Sequence, residues 1–314
     1  MPDITASYLE DIVRRCRPFT DYGQVADYIP ELGKINKHLL GISVLSCGSH
    51  LVSAGDYDTV FTLQSISKIV SLLVALEDLG EEAVFRKVGM EPSADVFNSI
   101  KRLETNEDNR PLNPMINAGA IVVASLIRGR SVEERFSRVL RFLQSITGNP
   151  QLSLNKEVYW SEKKTGDRNR ALAYFMKSTG VIESDVEEAL DLYFQLSSIN
   201  VTCTDLAKIG CFLADHSRNE CSRISVSPTH VRIVLAIMQT SGMYNGSGEF
   251  AIRVGIPAKS GVSGGIVAVA PGKMGIGVFG PSIDKKGNSV AGVEMLKRLS
   301  EDLSLSFFER FHTI

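Results

Sequence analysis

The sequence predicts a mixed α/β (α+β) protein: an antiparallel sheet built from both chain ends, flanked by helices, with an inserted helical lobe. Two strand-turn-strand patterns, at 41–54 and at 265–279, predict the sheet. Helix start signals and apolar residues at helical spacing between them predict the lobe. We therefore expect a sheet lobe of residues 1–69 and 246–314, a helical lobe of residues 70–245, and a small-ligand site in the cleft between them.

Both strand patterns have the form of a hairpin. The first joins 41–47 to 50–54 through Gly48-Ser49, and the second joins 265–270 to 273–279 through Pro271-Gly272. Short apolar runs broken by glycine and proline are typical of paired antiparallel strands, so both chain ends should contribute to one sheet.

Helix start signals recur along the chain. They are a capping box at Ser131 and Glu134, the same spacing at Ser184 and Glu187, a cap and first-turn proline at Ser227-Pro228, and a final helix from about Ser289. The final helix should bury a stripe of Val290, Val293, Leu296 and Leu299.

Composition excludes several classes of protein. The net charge is −2 with 44% hydrophobic residues, which fits a globular core and argues against nucleic-acid or anionic-membrane partners. Five cysteines without a CxxC pair, and five scattered histidines, argue against a disulfide framework or a metal site. With no signal peptide or membrane-spanning run, we expect a soluble cytoplasmic protein.

The first segment that carries chemistry is 61–68, where Ser65 and Lys68 form Ser-x-x-Lys. That tetrapeptide alone is weak evidence, because it also occurs at Ser153, Ser161 and Ser282. Only Ser65 precedes a nearly all-apolar stretch that ends at Gly80 and should be a buried helix.

Burial would lower the pKa of the lysine, so that a neutral Lys68 amine could take the hydroxyl proton of Ser65. The alternative is that Ser65 only caps a core helix while Lys68 extends to the surface.

A second segment favours the chemical interpretation. Lys259-Ser260-Gly261 leads into a strand and resembles the Lys-Ser/Thr-Gly box that accompanies Ser-x-x-Lys in serine β-lactamases and penicillin-binding proteins. A glycine-rich strand edge lets substrate approach backbone donors, so this edge and the N–H of Ser65 could form an oxyanion hole. The alternative is that these glycines only mark the entry to a hairpin.

Two other motif matches lack the required context. Ser263 fits G-x-S-x-G, but its strand follows rather than precedes it, so Ser263 is a poor nucleophile candidate. Residues 275–280 fit G-x-G-x-x-G but run into Pro281 instead of a helix, which indicates a strand that contains glycines.

Five segments together resemble the serine-dependent glutaminase family. They are Gln-Ser-Ile-Ser-Lys at 64–68, Asn-Pro-Met-Ile-Asn-Ala-Gly-Ala at 113–120, Thr-Gly-Asp-Arg-Asn at 165–169, Ser-Gly-Met-Tyr at 241–244 and Pro-Ala-Lys-Ser-Gly-Val at 257–262. The resemblance spans most of the chain, from Tyr28 to about Ser289, and implies a serine β-lactamase-like fold.

The resemblance also implies the residues of the site. The nucleophile matches Ser65, the base matches Lys68, and Tyr244 is assigned to proton transfer or orientation of the nucleophile. The positions that bind glutamine match Tyr28, Gln64, Asn117, Glu162, Asn169, Tyr193, Tyr244 and the backbone of Val262, and Lys259, Ser260 and Gly261 support them. Glu162 would pair with the substrate ammonium, while Tyr28, Asn117 and Tyr193 would donate to its carboxylate.

The activity implied by the resemblance is hydrolysis of L-glutamine to L-glutamate and ammonia, without cofactor or metal, by a homo-oligomer, expected to be a tetramer. We expect the bare catalytic unit, without ankyrin repeats. The alternatives are a β-lactamase or penicillin-binding-type hydrolase, a non-catalytic amino-acid sensor that kept the pocket, and a helical interaction module that would leave the amide-rich segments unexplained.

Overall fold

The computed structural model describes residues 4–48, 50–93, 95–105, 108–215 and 224–309. Its strands are β1 Gly41–Ser46, β2 Leu51–Gly55, β3 Phe61–Thr62, β4 Asn200–Val201, β5 Ala258–Ser260, β6 Gly265–Ala270 and β7 Met274–Phe279. Its helices are α1 Ala6–Cys16, α2 Ser67–Leu79, α3 Glu81–Phe85, α4 Lys101–Thr105, α5 Asn117–Leu126, α6 Val132–Thr147, α7 Lys156–Thr165, α8 Asp167–Ser178, α9 Val186–Ser197, α10 Cys203–Ala214, α11 Pro228–Ser241, α12 Ser247–Arg253 and α13 Val290–Leu303.

The main sheet has the strand order β2-β1-β7-β6-β5, and every pair is antiparallel. Val44 in β1 pairs with Val52 in β2 on one side and with Ile276 in β7 on the other. Both predicted hairpins are therefore confirmed, although Ser49 in the first turn lies outside the described residues. The mixed α/β class with an antiparallel sheet is confirmed as well.

The two faces of this sheet pack against different helices, because side chains alternate along each strand. On one face an apolar cluster joins the sheet to the terminal helices α1 and α13; the strand residues in it include Ile42, Val44, Ile266, Ala268, Ile276 and Val278. The opposite face lies against α10, and its Val267, Val269 and Phe279 belong to the cluster that continues into the helical region.

Helix α10 approaches the sheet so closely that its backbone contacts the backbone of β7. A methyl group added at Gly275 would lie 1.9 Å from the backbone nitrogen of Cys211, and one added at Gly277 would lie 2.2 Å from the carbonyl oxygen of Cys203. The glycines of 275–280 therefore make room for a helix, and the prediction that this motif is a strand is confirmed.

Helix α2 is the buried centre of the helical region. All residues from Ser67 to Leu76 are buried, and Gly80 ends the helix with φ 81°, as its sequence predicts. The predicted start is wrong by two residues, because Ser65 lies in a 3-10 turn, Gln64–Ile66, and the α-helix begins at Ser67.

The other helix starts agree with prediction in part. The Ser131 hydroxyl caps α6 by accepting from the N–H of Glu134, but the Glu134 carboxylate accepts from Arg130, which is one residue before the cap. The start predicted at Ser184 is wrong by one residue: the Asp185 carboxylate caps α9 instead.

The last two predicted helix starts lie where the sequence places them. Pro228 occupies the first turn of α11 after Ser227, whose hydroxyl makes no cap hydrogen bond. The Ser289 hydroxyl caps α13. Leu296 and Leu299 in that helix are buried as predicted, whereas Val290 and Val293 are only partly buried.

The predicted division into lobes at residues 69/70 and 245/246 stays a prediction. Helix α10 belongs to the middle range of the chain but covers the sheet, so the sheet and the helical region share one continuous apolar cluster. Among the described residues, no helix combines the length and apolarity needed to cross a bilayer.

Candidate active site

Ser65 lies at the junction between β3 and α2, on a short turn that is stabilised in part by a hydrogen bond to a residue distant in sequence. The N–H of Leu63 donates to the carbonyl of Ile199 at 2.9 Å, and the Ser67 hydroxyl donates to the carbonyl of Gln64 at 2.8 Å. Gln64 has φ 48°, a left-handed conformation that L-residues rarely adopt. Such strain is characteristic of functional sites, where the surrounding structure enforces it.

Lys68 is almost completely buried, with 2% of its surface exposed. Its amine donates to the carbonyl oxygen of Met115 at 3.1 Å and to Oδ1 of Asn117 at 2.8 Å. Burial lowers the pKa of Lys68 to about 7, and only the nearby Glu162 opposes that shift. A substantial fraction of the amine is therefore uncharged at neutral pH.

The phenol of Tyr244 lies close to the Ser65 hydroxyl: burial raises the pKa of that phenol, and its interaction with Ser65 opposes the shift. Tyr244 is buried and begins a 3-10 turn with φ 55°, so it is a second left-handed residue beside Ser65. Its hydroxyl also donates to the carbonyl oxygen of Ser260 at 3.1 Å. Among the described residues outside glycine, only Gln64, Asn109, Tyr244 and Ser304 have positive φ, and two of these four flank Ser65.

Lys259 contacts Tyr244 and stabilises its position. Its amine donates to the carbonyl of Ser260 at 2.5 Å and lies 4.3 Å from the centre of the Tyr244 ring. Burial, and then the neighbouring Lys68, hold the pKa of Lys259 well below its ordinary value. The Ser260 hydroxyl in turn donates to the carbonyl of Gly287. Lys259 and Ser260 therefore fix the position of the phenol.

The loop after β5 brings backbone donors to Ser65. A methyl group at Gly261 would lie 2.6 Å from the carbonyl oxygen of Leu63, so only glycine permits this approach. Within the described part of the chain, neither the N–H of Ser65 nor that of Val262 donates a hydrogen bond. Two unused N–H groups beside a hydroxyl suit stabilisation of an oxyanion.

The rejected candidate Ser263 is used structurally. Its hydroxyl is buried and donates to the carbonyl of Thr62 at 2.7 Å, and strand β6 follows it. Three of the four Ser-x-x-Lys matches also lack a buried lysine, since Lys156, Lys164 and Lys285 are exposed.

On the other side of Ser65, a carboxylate and several amides converge. Glu162 at the end of α7 is buried and accepts from Nε2 of Gln64 at 3.4 Å. Asn117, the first residue of α5, donates from Nδ2 to Oδ1 of Asn169 at 2.9 Å. The Asn117 side chain thus links the lysine to the first turn of α8.

One pocket unites these groups. It is lined by Tyr28, Ile29, Gln64, Ser65, Phe97, Asn98, Asn117, Glu162, Thr165, Gly166, Arg168, Asn169, Tyr193 and Val262. Lys68, Tyr244 and the 259–261 segment lie behind this lining. Tyr28 is 53% exposed and lies at the mouth, where Thr165 and Arg168 are exposed as well.

Sequence reasoning missed part of the lining. Thr165, Gly166 and Arg168 lie within a segment whose motif was recognised, but the motif assigned no role to them. Phe97 had no sequence signal, although its ring lies 4.9 Å from that of Tyr244 and its carbonyl accepts from the N–H of Asn117. It comes from a stretch of 91–100 with no motif.

The pocket is electrically unusual because two ionisable groups at its inner end, Glu162 and Lys68, are buried. Burial raises the pKa of Glu162 to about 8, opposed by the hydrogen bond from Gln64 and by Lys68. Burial, and then Glu162, also raise the pKa of Tyr193 well above its ordinary value. Among the described residues, no three His, Cys, Asp or Glu side chains are grouped as metal ligands.

Comparison with solved structures defines the class of protein. A Bacillus glutaminase superposes with a TM-score of 0.89 at 40% identity, covering 96% of this chain and 99% of that one. A Bacillus subtilis glutaminase in covalent complex with 5-oxo-L-norleucine, formed from 6-diazo-5-oxo-L-norleucine, gives a TM-score of 0.88 at 39% identity over 96% and 99% of the two chains. The fold is that of bacterial glutaminases.

Sequence comparison gives the family. The glutaminase family model matches residues 23–308. A glutaminase from Clostridium tetani is 58% identical over 303 residues, which cover 96% of this chain and 99% of the relative. This chain therefore belongs to the glutaminase family and is an amidohydrolase of that class.

Proposed function

We propose that this protein hydrolyses the side-chain amide of L-glutamine through an acyl-enzyme on Ser65, with Lys68 as general base. The observation that carries this assignment is the buried lysine with a pKa of about 7, one helical turn from a serine that lines the pocket. The covalent adduct of the Bacillus subtilis glutaminase with a diazoketone analogue supports a nucleophile in the same fold.

The pocket can hold a zwitterionic amino acid by complementary charge. The Glu162 carboxylate would pair with the α-ammonium, and Asn117, Tyr193 and Tyr28 would donate to the α-carboxylate without adding a full positive charge. Asn169 holds Asn117 in place. A neutral amide side chain would then reach Ser65, with Gln64 on its flank.

The hydrogen bonds of Lys68 leave its lone pair available. A neutral amine has two N–H donors, and these are used by the carbonyl of Met115 and the amide oxygen of Asn117. The one acceptor position left over can take the proton of the Ser65 hydroxyl as that oxygen attacks the amide carbon. The same two contacts explain why the lysine needs no anionic partner to stay buried.

The remaining steps depend on the groups around the attacked carbon. The N–H groups of Ser65 and Val262 would stabilise the oxyanion. The C–N bond then breaks, and the nitrogen leaves as ammonia after taking a proton from Lys68 or Tyr244. Water then attacks the ester on Ser65 and gives a proton to Lys68, which passes it to the Ser65 oxygen as the C–O bond breaks and L-glutamate leaves.

We expect kcat/KM to rise with pH between about pH 5 and 9. Lys68 must lose its proton, at a pKa of about 7, to act as base. Glu162 must lose its proton, at a pKa of about 8, to pair with the ammonium. Both requirements act in the same direction, so log(kcat/KM) should approach a slope of two at the acidic end. The variant Glu162→Gln should reduce that slope to one, and a flat wild-type profile would contradict both assignments.

Replacing Tyr244 by phenylalanine should slow the pre-steady-state ammonia burst about tenfold, the effect of losing one polar contact that orients the Ser65 hydroxyl. The ring contact with Lys259 remains in this variant, so positioning by the ring is preserved. The matched control is Tyr174→Phe, whose hydroxyl donates to Glu187 on the surface. A burst rate equal to that of wild type would remove Tyr244 from the acylation step.

Substrate assays separate this function from its alternatives. We expect ammonia release from L-glutamine well above that from L-asparagine, whose amide is one methylene too short to reach Ser65 from the same ammonium contact. Labelled penicillin should not stay on Ser65. Stable penicillin labelling without glutamine turnover would favour the β-lactamase-type enzyme, and glutamine binding without ammonia would favour the sensor.

We also propose a cytoplasmic homo-oligomer, a tetramer by family resemblance. The absence of a CxxC pair, and of a disulfide among the described cysteines, agrees with a reducing compartment. Light scattering coupled to size-exclusion chromatography tests the assembly, since a mass equal to one chain at micromolar concentration would contradict it.

A further inference from the structure

Two partly exposed cysteines contact each other at the edge between sheet and helix. Cys47 directly follows β1, and its N–H donates to the carbonyl of Lys273 at 2.9 Å, which continues the pairing with β7. Cys211 lies on α10, and the nearby Cys47 thiol, together with burial, raises the pKa of the Cys211 thiol. Cys16 and Cys203, by contrast, are buried.

The strand register supports this contact independently. Ser43 and Leu45 pair with Gly277 and Gly275, whose open side faces α10, so by alternation Cys47 faces α10 as well. The Ser43 hydroxyl lies 3.2 Å from that of Thr204 near the start of the helix.

From the Ser43–Thr204 contact, β1 and α10 extend by similar distances to the two cysteines. The four residues from Ser43 to Cys47 span about 13 Å of strand. The seven residues from Thr204 to Cys211 span about 10.5 Å of helix. The second contact therefore falls at the cysteines, where the backbone of α10 lies directly against Gly275.

From this geometry we propose that Cys47 and Cys211 form a reversible disulfide when the protein meets hydrogen peroxide, fastening β1 to α10. The pair is a redox modification site outside the glutamine pocket. Intracellular disulfides of this kind are transient and respond to oxidant, which distinguishes them from a permanent framework.

Oxidation begins when one of the two thiols, taken here as Cys47, loses its proton. The Cys47 thiolate attacks one peroxide oxygen, the O–O bond breaks, and hydroxide leaves as water after taking a proton, giving a sulfenic acid. The Cys211 sulfur then attacks the Cys47 sulfur, and the displaced hydroxide leaves with the Cys211 proton as water. Two thiols are oxidised and one peroxide is reduced to two waters.

The position of the two cysteines predicts which properties of the protein oxidation should change. The cysteines adjoin the Ala270–Met274 end of β6 and β7, whereas the pocket adjoins Gly265 at the other end of β6. Those ends are about 16 Å apart along the strand. The cross-link should therefore stabilise the fold without changing glutamine hydrolysis.

The experiment oxidises the full-length protein with hydrogen peroxide, blocks remaining thiols with iodoacetamide, and maps the peptides by mass spectrometry. We expect the Cys47 and Cys211 peptides to be joined, to separate on reduction, and to be accompanied by a rise in Tm of roughly 4–10 °C. Cys47→Ser and Cys211→Ser should lose both effects, and the matched control Cys16→Ser should keep them.

Separate alkylation of Cys47 and Cys211 after oxidation would overturn the proposal, as would a bond from either one to Cys221. Repeating the mapping in Cys221→Ser excludes competition from that residue. Because the readout is a cross-link rather than activity, its outcome is independent of the proposed catalytic mechanism.

Discussion

Replacing Ser65 by alanine should lower kcat for glutamine hydrolysis by about 10⁴–10⁶-fold, because the variant retains binding but has no oxygen to form the acyl-enzyme. The affinity for glutamine should change little, since in the proposed mechanism Glu162 and Asn117 bind the other end of the substrate. Ammonia release measures the first effect, and titration calorimetry with glutamine measures the second.

The chain offers a matched control for this variant. Ser153 also begins a Ser-x-x-Lys sequence, but its side chain and that of Lys156 are exposed. Ser153→Ala should hydrolyse glutamine at the wild-type rate. A Ser65→Ala enzyme that still formed glutamate within tenfold of wild type would show that another group attacks the amide.

Replacing Lys68 by methionine should lower kcat by about 10²–10⁴-fold, the contribution of a positioned general base. Methionine fills nearly the same buried volume without the amine, so the free energy of unfolding should change little. The desolvation cost of the amine disappears, while the carbonyl of Met115 and the amide oxygen of Asn117 lose a donor, and these effects oppose each other.

Lys156→Met is the control, because that lysine is exposed at the start of α7. The measurements are ammonia release and urea unfolding of both variants. An active Lys68→Met enzyme would move the role of base to Tyr244. If Lys68→Met is inactive because it is unfolded, Lys68→Arg is the deciding variant: it keeps donors for the two buried acceptors but carries a permanent charge, so a folded Lys68→Arg enzyme should be inactive.

The sequence predicted most of the fold because its signals are local. The apolar run of α2 and its terminating Gly80, the two hairpins, and the caps at Ser131 and Ser289 depend on residues within a few positions of each other. The start of α2 was misplaced because a distant contact decides it. The bond from Leu63 to Ile199, and the left-handed Gln64, hold Ser65 in a tighter turn.

The candidate site was also predictable only where its signals are local in sequence. Burial of Ser65 and Lys68 was predictable from the apolar helix that begins there, and motif resemblance supplied Glu162 and Asn169. No local signal predicted Phe97 or the two acceptors of Lys68, since these depend on tertiary packing: α5 packs against α2, and Phe97 lies against Tyr244 and Asn117. The glycines at 275–277 were read correctly as part of a strand, but their reason, the close approach of α10, is tertiary.

The most direct test of the mechanism is to trap the intermediate. Protein mixed with radiolabelled L-glutamine is quenched in acid during the first turnover, digested, and mapped. We expect a glutamyl ester on the peptide that contains Ser65, absent from Ser65→Ala and accumulating in proportion to the ammonia burst. A label on another residue, or an ammonia burst with no label on the protein, would contradict an acyl-enzyme at Ser65.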